Sequence, residues 1–250
     1  MGGAGAMAAA GGAGLVAEAL EAVRGRVAAA SSGKGASAAP RLVAVGKTKP
    51  VGLLQEAYAA GQRVFGENYA QELIEKAPQM PDDVRWHFIG HLQSNKARGL
   101  VAGVPNLTCV ETLDSKKLAN KLDTACAESQ RTEPLSVMLQ VNTSGEESKF
   151  GLPPGEDCLD LARHVVEACP QLRLAGLMTI GKPDYTSEPE NFLCLARCRD
   201  ALYSALGLPA GSLELSMGMS GDFEQAIEMG SDNVRVGSTI FGAREYPNKK

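Results

Sequence analysis

Eight short apolar runs, each followed by a stretch of helical character, restrict what this chain can fold into more than any other feature. They are Leu42 to Val45, Val64 to Phe65, Trp86 to Ile89, Thr108 to Val110, Ser136 to Val141, Leu174 to Leu177, Leu213 to Leu215 and Asn233 to Val236. None alternates strictly between apolar and polar residues, so they read as parallel strands covered on both faces. Between them, Asp114 stands where an N-cap belongs ahead of Leu118, Leu122 and Ala125, and Gly61, Gly207 and Gly230 stand where left-handed C-caps belong. Eight strand-and-crossover units close most economically into one (β/α)8 TIM barrel of the α/β class, with a doubly wound open sheet as the competing arrangement.

A helix leads into the barrel, because Val16, Leu20, Val23 and Val27 recur at helical spacing, and the small residues from Ser31 to Pro40 close it. Residues 1–14 are nearly all Gly and Ala and are expected to form a disordered tail, leaving 15–250 as the single domain. An apolar fraction of 44% supplies enough Val, Leu and Ile for a sizeable core. The net charge of -4 lacks the basic field that nucleic acid binding needs, so nucleic acid is not expected as a partner.

No window approaches 18 apolar residues and the N-terminus lacks the order of a signal peptide, so no membrane association is expected and a cytoplasmic location is. A mitochondrial pool is the alternative that an Ala-rich leader leaves open, although the leader has few Arg and Ser. Met1-Gly2 does not read as a myristoylation signal, since position 6 is Ala. The six cysteines form no CxxC pair and read as reduced and structural; Cys194 and Cys198 share a helix face without the further ligands that zinc would need.

In a barrel of this kind, functional side chains stand at the carboxyl ends of the strands. Val43, Val45 and Lys47 share one strand face, which brings Lys47 to the barrel mouth, partly desolvated and near other cations. Both conditions favour the neutral amine that attacks an aldehyde to form a Schiff base. A solvated strand-end lysine is the plain alternative, and Lys49 shares the parity, though Pro50 beside it turns the chain outward. The turns Ser216-Met217-Gly218 and Gly237-Ser238-Thr239 lie where barrels bind phosphate, with glycines for close approach and hydroxyls as donors. A lysine and two phosphate half-sites together describe a phosphorylated aldehyde.

Arg235 faces the same side as Gly237; beside a pyridine nitrogen it would oppose ring protonation, and otherwise it would pair with Glu214 or Asp232. His91, at the end of the third strand, is a candidate cofactor contact, whereas His87 deeper in that strand reads as a satisfied core histidine. Asn68 either bonds a cofactor oxygen or caps the next helix. Tyr69 is equally open, and Met178 and Met217 read first as packing residues.

Taken together, Leu42 to Pro50, Phe65-Gly66-Glu67-Asn68-Tyr69, Trp86 to Gln93, the Asn142 to Lys149 loop, Gly176 to Gly181, Leu215 to Ser220 and Val234 to Gly242 closely resemble the YggS-type pyridoxal phosphate homeostasis proteins. The likeness runs from about residue 15 to residue 245. It implies a barrel similar to the N-terminal barrel of alanine racemase and pyridoxal 5′-phosphate held as an aldimine on Lys47. It also implies Arg235 facing the pyridine nitrogen, and phosphate held by Ser216, Gly237, Ser238 and Thr239. Asn68, His91 and Met217 complete the expected binding set, and no metal is expected. Gly46 stands where the family usually has Ser, a departure expected to loosen the strand end.

The resemblance implies a non-catalytic carrier of the cofactor in vitamin B6 homeostasis, monomeric, serving apo-enzymes or salvage enzymes. In alanine racemase the second acid–base group comes from an added C-terminal domain of a partner subunit, and this chain ends soon after its last strand. With Arg235 weakening the electron sink, carbanion chemistry is not expected. A monomeric amino acid racemase is the alternative, and a class I aldolase a third reading.

Overall fold

The computed structural model describes residues 13–32, 39–182 and 189–243. Its elements run α1 (Ala13–Ser31), β1 (Arg41–Val45), α2 (Val51–Ala59), β2 (Val64–Glu67), α3 (Ala70–Lys76), β3 (Arg85–Phe88), α4 (Ala97–Gly103), β4 (Leu107–Leu113) and α5 (Lys116–Glu128). They continue with β5 (Leu135–Gln140), α6 (Glu156–Ala168), β6 (Leu172–Met178), α7 (Glu190–Leu206), β7 (Glu214–Met219), α8 (Phe223–Glu228), β8 (Asn233–Val236) and α9 (Ser238–Phe241). The strands close in sequence order into a parallel barrel, β8 returning to β1 with Arg41 opposite Asn233 and Val43 opposite Arg235. All eight expected strands are present, and the open-sheet alternative is excluded.

Helix α1 begins at Ala13, so the last two residues read as tail are its first turn; the tail over 1–12 and most of the linker lie outside the described residues. Its buried Val16, Leu20, Val23 and Val27 pack against α2, α8 and α9. Gly61, Gly207 and Gly230 all take positive φ at helix ends, as their positions imply. Asp114 does not cap α5: Ser115 does, its hydroxyl accepting from the Leu118 N–H, while Asp114 turns back to His91. Cys198 of α7 meets not only Cys194 but also Cys158 of α6, a third thiol that the sequence spacing did not reveal.

The main core lies between the sheet and its helices, built on Trp86, Phe65, Phe88, Phe223 and a shell of leucines. The barrel interior is different. It holds two small apolar clusters, Val43, Val45, Val64 and Ile89 in one and Cys109, Met138, Ala175 and Met178 in the other, together with a buried polar group. Two glycines make the wall this tight. A Cβ at Gly176 would sit 2.0 Å from the Glu214 carbonyl oxygen, and one at Gly90 would sit 1.9 Å from that of Asn68. Only hydrogen fits at either place.

Candidate functional site at the carboxyl end of the barrel

A cavity of about 540 Å³ opens at the carboxyl ends of the strands. Val45 and Ile89 form its floor, so Lys47, two residues on from Val45, emerges half-buried into it, as strand parity requires. Gly237 and Ser238 face it from where β8 passes into α9, Met219 from the end of β7, Ser220 and Gly221 from the loop after it, and Gly242 and Ala243 from the end of α9. The Gly237 N–H donates to the Ser220 hydroxyl at 3.3 Å, which ties the two loops together. Lys49 lines the same space but donates to the Ala243 carbonyl at 2.6 Å, so its charge is spent on holding the chain after α9.

The segment carrying Lys47 is clamped from below. Lys76, buried on α3, donates to the Gly46 carbonyl at 2.9 Å, to Glu67 at 2.8 Å and to Glu72 at 2.6 Å. Glu72 in turn accepts the Thr48 N–H at 2.7 Å. Thr48 has φ 63, a left-handed conformation unfavourable for a β-branched residue, and these bonds hold it there. Burial drives the Glu67 carboxyl up to about 7 despite the ammonium of Lys76, and its second oxygen has no hydrogen-bond partner.

Gly46 does not loosen this strand end. Its N–H bonds Gly66 at 3.0 Å, and a Cβ there would lie 2.8 Å from both Glu67 and Leu54, so the small residue lets the clamp close.

Beneath the cavity, Arg235 donates to the Ser216 hydroxyl at 2.6 Å and to the Thr179 carbonyl at 2.8 Å. It pairs with neither Glu214, which takes Arg41 instead, nor Asp232. The Ser216 hydroxyl in turn donates to Glu111 at 2.5 Å, and Glu111 also accepts from Asn233 at 3.0 Å and meets His87 Nδ1 at 2.5 Å. Burial alone would raise the Glu111 carboxyl, but His87, Arg235 and Ser216 together bring it down to about 2. It is therefore a buried anion facing a buried guanidinium 3.9 Å away.

Of the residues singled out in the sequence, Lys47, Arg235, Gly237 and Ser238 come together at this cavity. Ser216 stands just below it with its hydroxyl engaged, and Met217 is fully buried in the core. Thr239 lies in α9 without lining the space, where Ser220 and Gly221 stand instead. His87 is a buried core histidine, as expected, with its Nδ1 held by Glu111 and its Nε2 left without a protein partner among the described residues.

His91 is turned away. It stacks on Phe150 with ring centroids 3.7 Å apart, lies 3.5 Å from Asp114, and faces a separate groove beside α5. The chain leaves β3 at Phe88 and bends at Gly90 against Asn68, which breaks the step that His87 and His91 share in sequence. Asn68 is not a cap, since Tyr69 holds that position, and its buried Oδ1 has no partner. Sequence reading missed Glu67, Lys76 and Glu111. A lone charged residue inside an apolar run, as in Cys109-Val110-Glu111-Thr112-Leu113, was the available signal.

The family model for the N-terminal domain of alanine racemase matches residues 18–245. The human pyridoxal phosphate homeostasis protein is 51% identical over 218 residues, 84% of this chain and 78% of that one. The protein of the same name from Schizosaccharomyces pombe is 50% identical over 206 residues, 81% of this chain and 84% of that one.

Among solved structures, PipY of Synechococcus elongatus with PLP bound superposes with a TM-score of 0.70 at 33% identity, over 91% of this chain and all of that one. A Bifidobacterium adolescentis protein of unknown function reaches 0.80 at 34%, over 93% and 96%. Alanine racemase from Streptomyces coelicolor, at 20% identity and TM-score 0.69 over 93% of this chain and 59% of that one, shares the fold. From its barrel to the order of its site-bearing loops, the chain belongs to the family of the pyridoxal phosphate homeostasis proteins.

Proposed function

We propose that this chain binds pyridoxal 5′-phosphate reversibly at Lys47 and serves vitamin B6 homeostasis by holding and releasing the cofactor without turning over a substrate. One observation carries the reading: the half-buried Lys47 and the Gly237-Ser238 turn face each other across one cavity of about 540 Å³, with Arg235 between their levels. The residues fit the group. An amine stands at one side for an aldehyde, and backbone and hydroxyl donors stand at the other for a phosphate. When bound, the cofactor supplies an electrophilic carbonyl carbon and an aromatic ring. The names of the human and fission yeast relatives and the PLP-bound neighbour agree with it.

Carriage without turnover is supported by what the wall offers. Among the described residues lining the cavity there is no histidine, tyrosine, cysteine or carboxylate to move a proton at a substrate carbon. Lys49 is engaged with Ala243. Arg235, fixed by Ser216 and Thr179, presents donors only and so cannot take a proton from a ring nitrogen. Acceptors of the released cofactor are then apo-enzymes or salvage enzymes that use the same aldehyde.

The test is incubation with pyridoxal 5′-phosphate, borohydride reduction and peptide mass spectrometry. The expected result is modification at Lys47, lost in Lys47→Ala, with no turnover of amino acids by the loaded protein. Modification at Lys49 alone, or racemisation dependent on Lys47, would overturn it.

A further inference from the structure

At the opposite, amino-terminal mouth of the barrel lies a second inward cavity, about 160 Å³, far from Lys47 in the strand layers and used by nothing above. That volume accommodates several waters or one small oxyanion. Three arginines border it, from the starts of β1, β3 and β6: Arg41, Arg85 and Arg173. Arg41 is neutralised by a two-pronged pair with Glu214, at 2.5 and 2.9 Å. Arg173 donates to the Ser136 hydroxyl at 2.6 Å, and neither it nor Arg85 has an ion-pair partner among the described residues. Two positive charges therefore stand uncompensated around a small cup.

The rest of the lining points the same way. The Ser136 oxygen accepts from Arg173, which leaves its proton to be donated inward. His87 is 5% exposed, its Nδ1 is committed to Glu111, and its ring borders the cup with Nε2 unengaged. Cys109, also in the lining, is a neutral thiol because burial drives its pKa up. A cup bordered by two guanidinium groups without ion-pair partners among the described residues, with the Ser136 hydroxyl between the strands, suits an anion.

A metal is the competing occupant, since ligand atoms of His87, Cys109 and Glu111 lie within 4.8 Å of one another. It is the weaker reading. Both Glu111 oxygens already accept protein donors, and the unpaired guanidinium groups repel a cation.

We propose that this mouth is a binding site for a small oxyanion of the phosphate or sulfate class, held by Arg85 and Arg173 with the Ser136 hydroxyl. The site is independent of the cofactor reading.

The experiment is a titration of the ¹⁵N-labelled chain with inorganic phosphate, then sulfate, against chloride at constant ionic strength, following backbone amides and the His87 ring. Saturable shifts are expected at Arg85, Thr108, Ser136 and Arg173, unchanged in Lys47→Ala. They should weaken roughly tenfold or more when Arg85→Gln and Arg173→Gln are combined, because each removes a charge-assisted bond. Both arginines are exposed, so the double variant keeps the fold, which circular dichroism checks. Phosphate seated in the cofactor cavity would shift Gly237 and Ser238 instead, a separate set of resonances. Non-saturating shifts at the lower mouth, or saturable ones that the double substitution leaves intact, would overturn the site.

Discussion

Replacing Glu67 with Gln isolates the electrostatics of the clamp under Lys47. The carboxyl is fully buried, and its pKa is driven from 4.5 to about 7 in the folded protein. An acid whose folded pKa is raised binds its proton more tightly folded than unfolded. Its contribution to stability is therefore complete below pH 4.5 and is lost as pH rises through about 7.

At about 1.4 kcal/mol per pH unit, the full loss is about 3 kcal/mol, of which about 2.5 falls between pH 5 and pH 8. Burial also raises the carboxyl pKa values of Asp114 and Asp232, so total stability carries more than the Glu67 contribution. The informative quantity is accordingly the difference between wild type and Glu67→Gln, measured by urea unfolding at each pH. Gln keeps an oxygen for Lys76 but cannot ionise, so wild type should lose about 2.5 kcal/mol more than the variant across that interval. A constant difference from pH 5 to pH 8, or one of opposite sign, would refute the claim that burial outweighs Lys76 at this carboxyl.

Three further expectations follow from the same geometry. Glu111→Gln removes the carboxylate that lies 3.9 Å from Arg235, and should cost about 3 to 5 kcal/mol at pH 7, because a buried guanidinium loses its nearest counter-charge. With a folded pKa of about 2, the contribution of Glu111 is present above pH 4.5 and lost as pH falls toward 2, so the cost should shrink in acid unfolding experiments. Gly176→Ala forces a methyl to within 2.0 Å of the Glu214 carbonyl oxygen and should lower the thermal midpoint by several degrees or prevent folding, read by differential scanning calorimetry. Glu224→Ala breaks the bidentate bond to Arg26, yet both side chains are about two-fifths exposed, so urea unfolding should register less than about 1 kcal/mol.

The barrel is legible in the sequence because parallel strands covered on both faces leave uninterrupted apolar runs, and because Gly61, Gly207 and Gly230 punctuate the helices between them. Lys47, Arg235 and Gly237 are legible through parity along β1 and β8. What is not legible depends on contacts between distant segments. Nothing near Ser216 in sequence reveals that Glu111 and Arg235 will occupy its hydroxyl. Nothing near His91 reveals that Gly90, pressed against Asn68, swings it toward Phe150. Lys76 reads as an ordinary last-turn lysine until α3 is laid against the Gly46 carbonyl.

The Glu111 cluster also bears on how the chain reaches its native state. The carboxylate finds Ser216 and Asn233 at separations of 105 and 122 residues, on strands that arrive last from the ribosome. In a half-barrel of β1 to β4 that carboxylate has only His87 beside it and lacks the donors that its burial requires. Burial of Glu111 thus couples the two halves of the ring, and half-length fragments of this chain should associate far better than either persists alone.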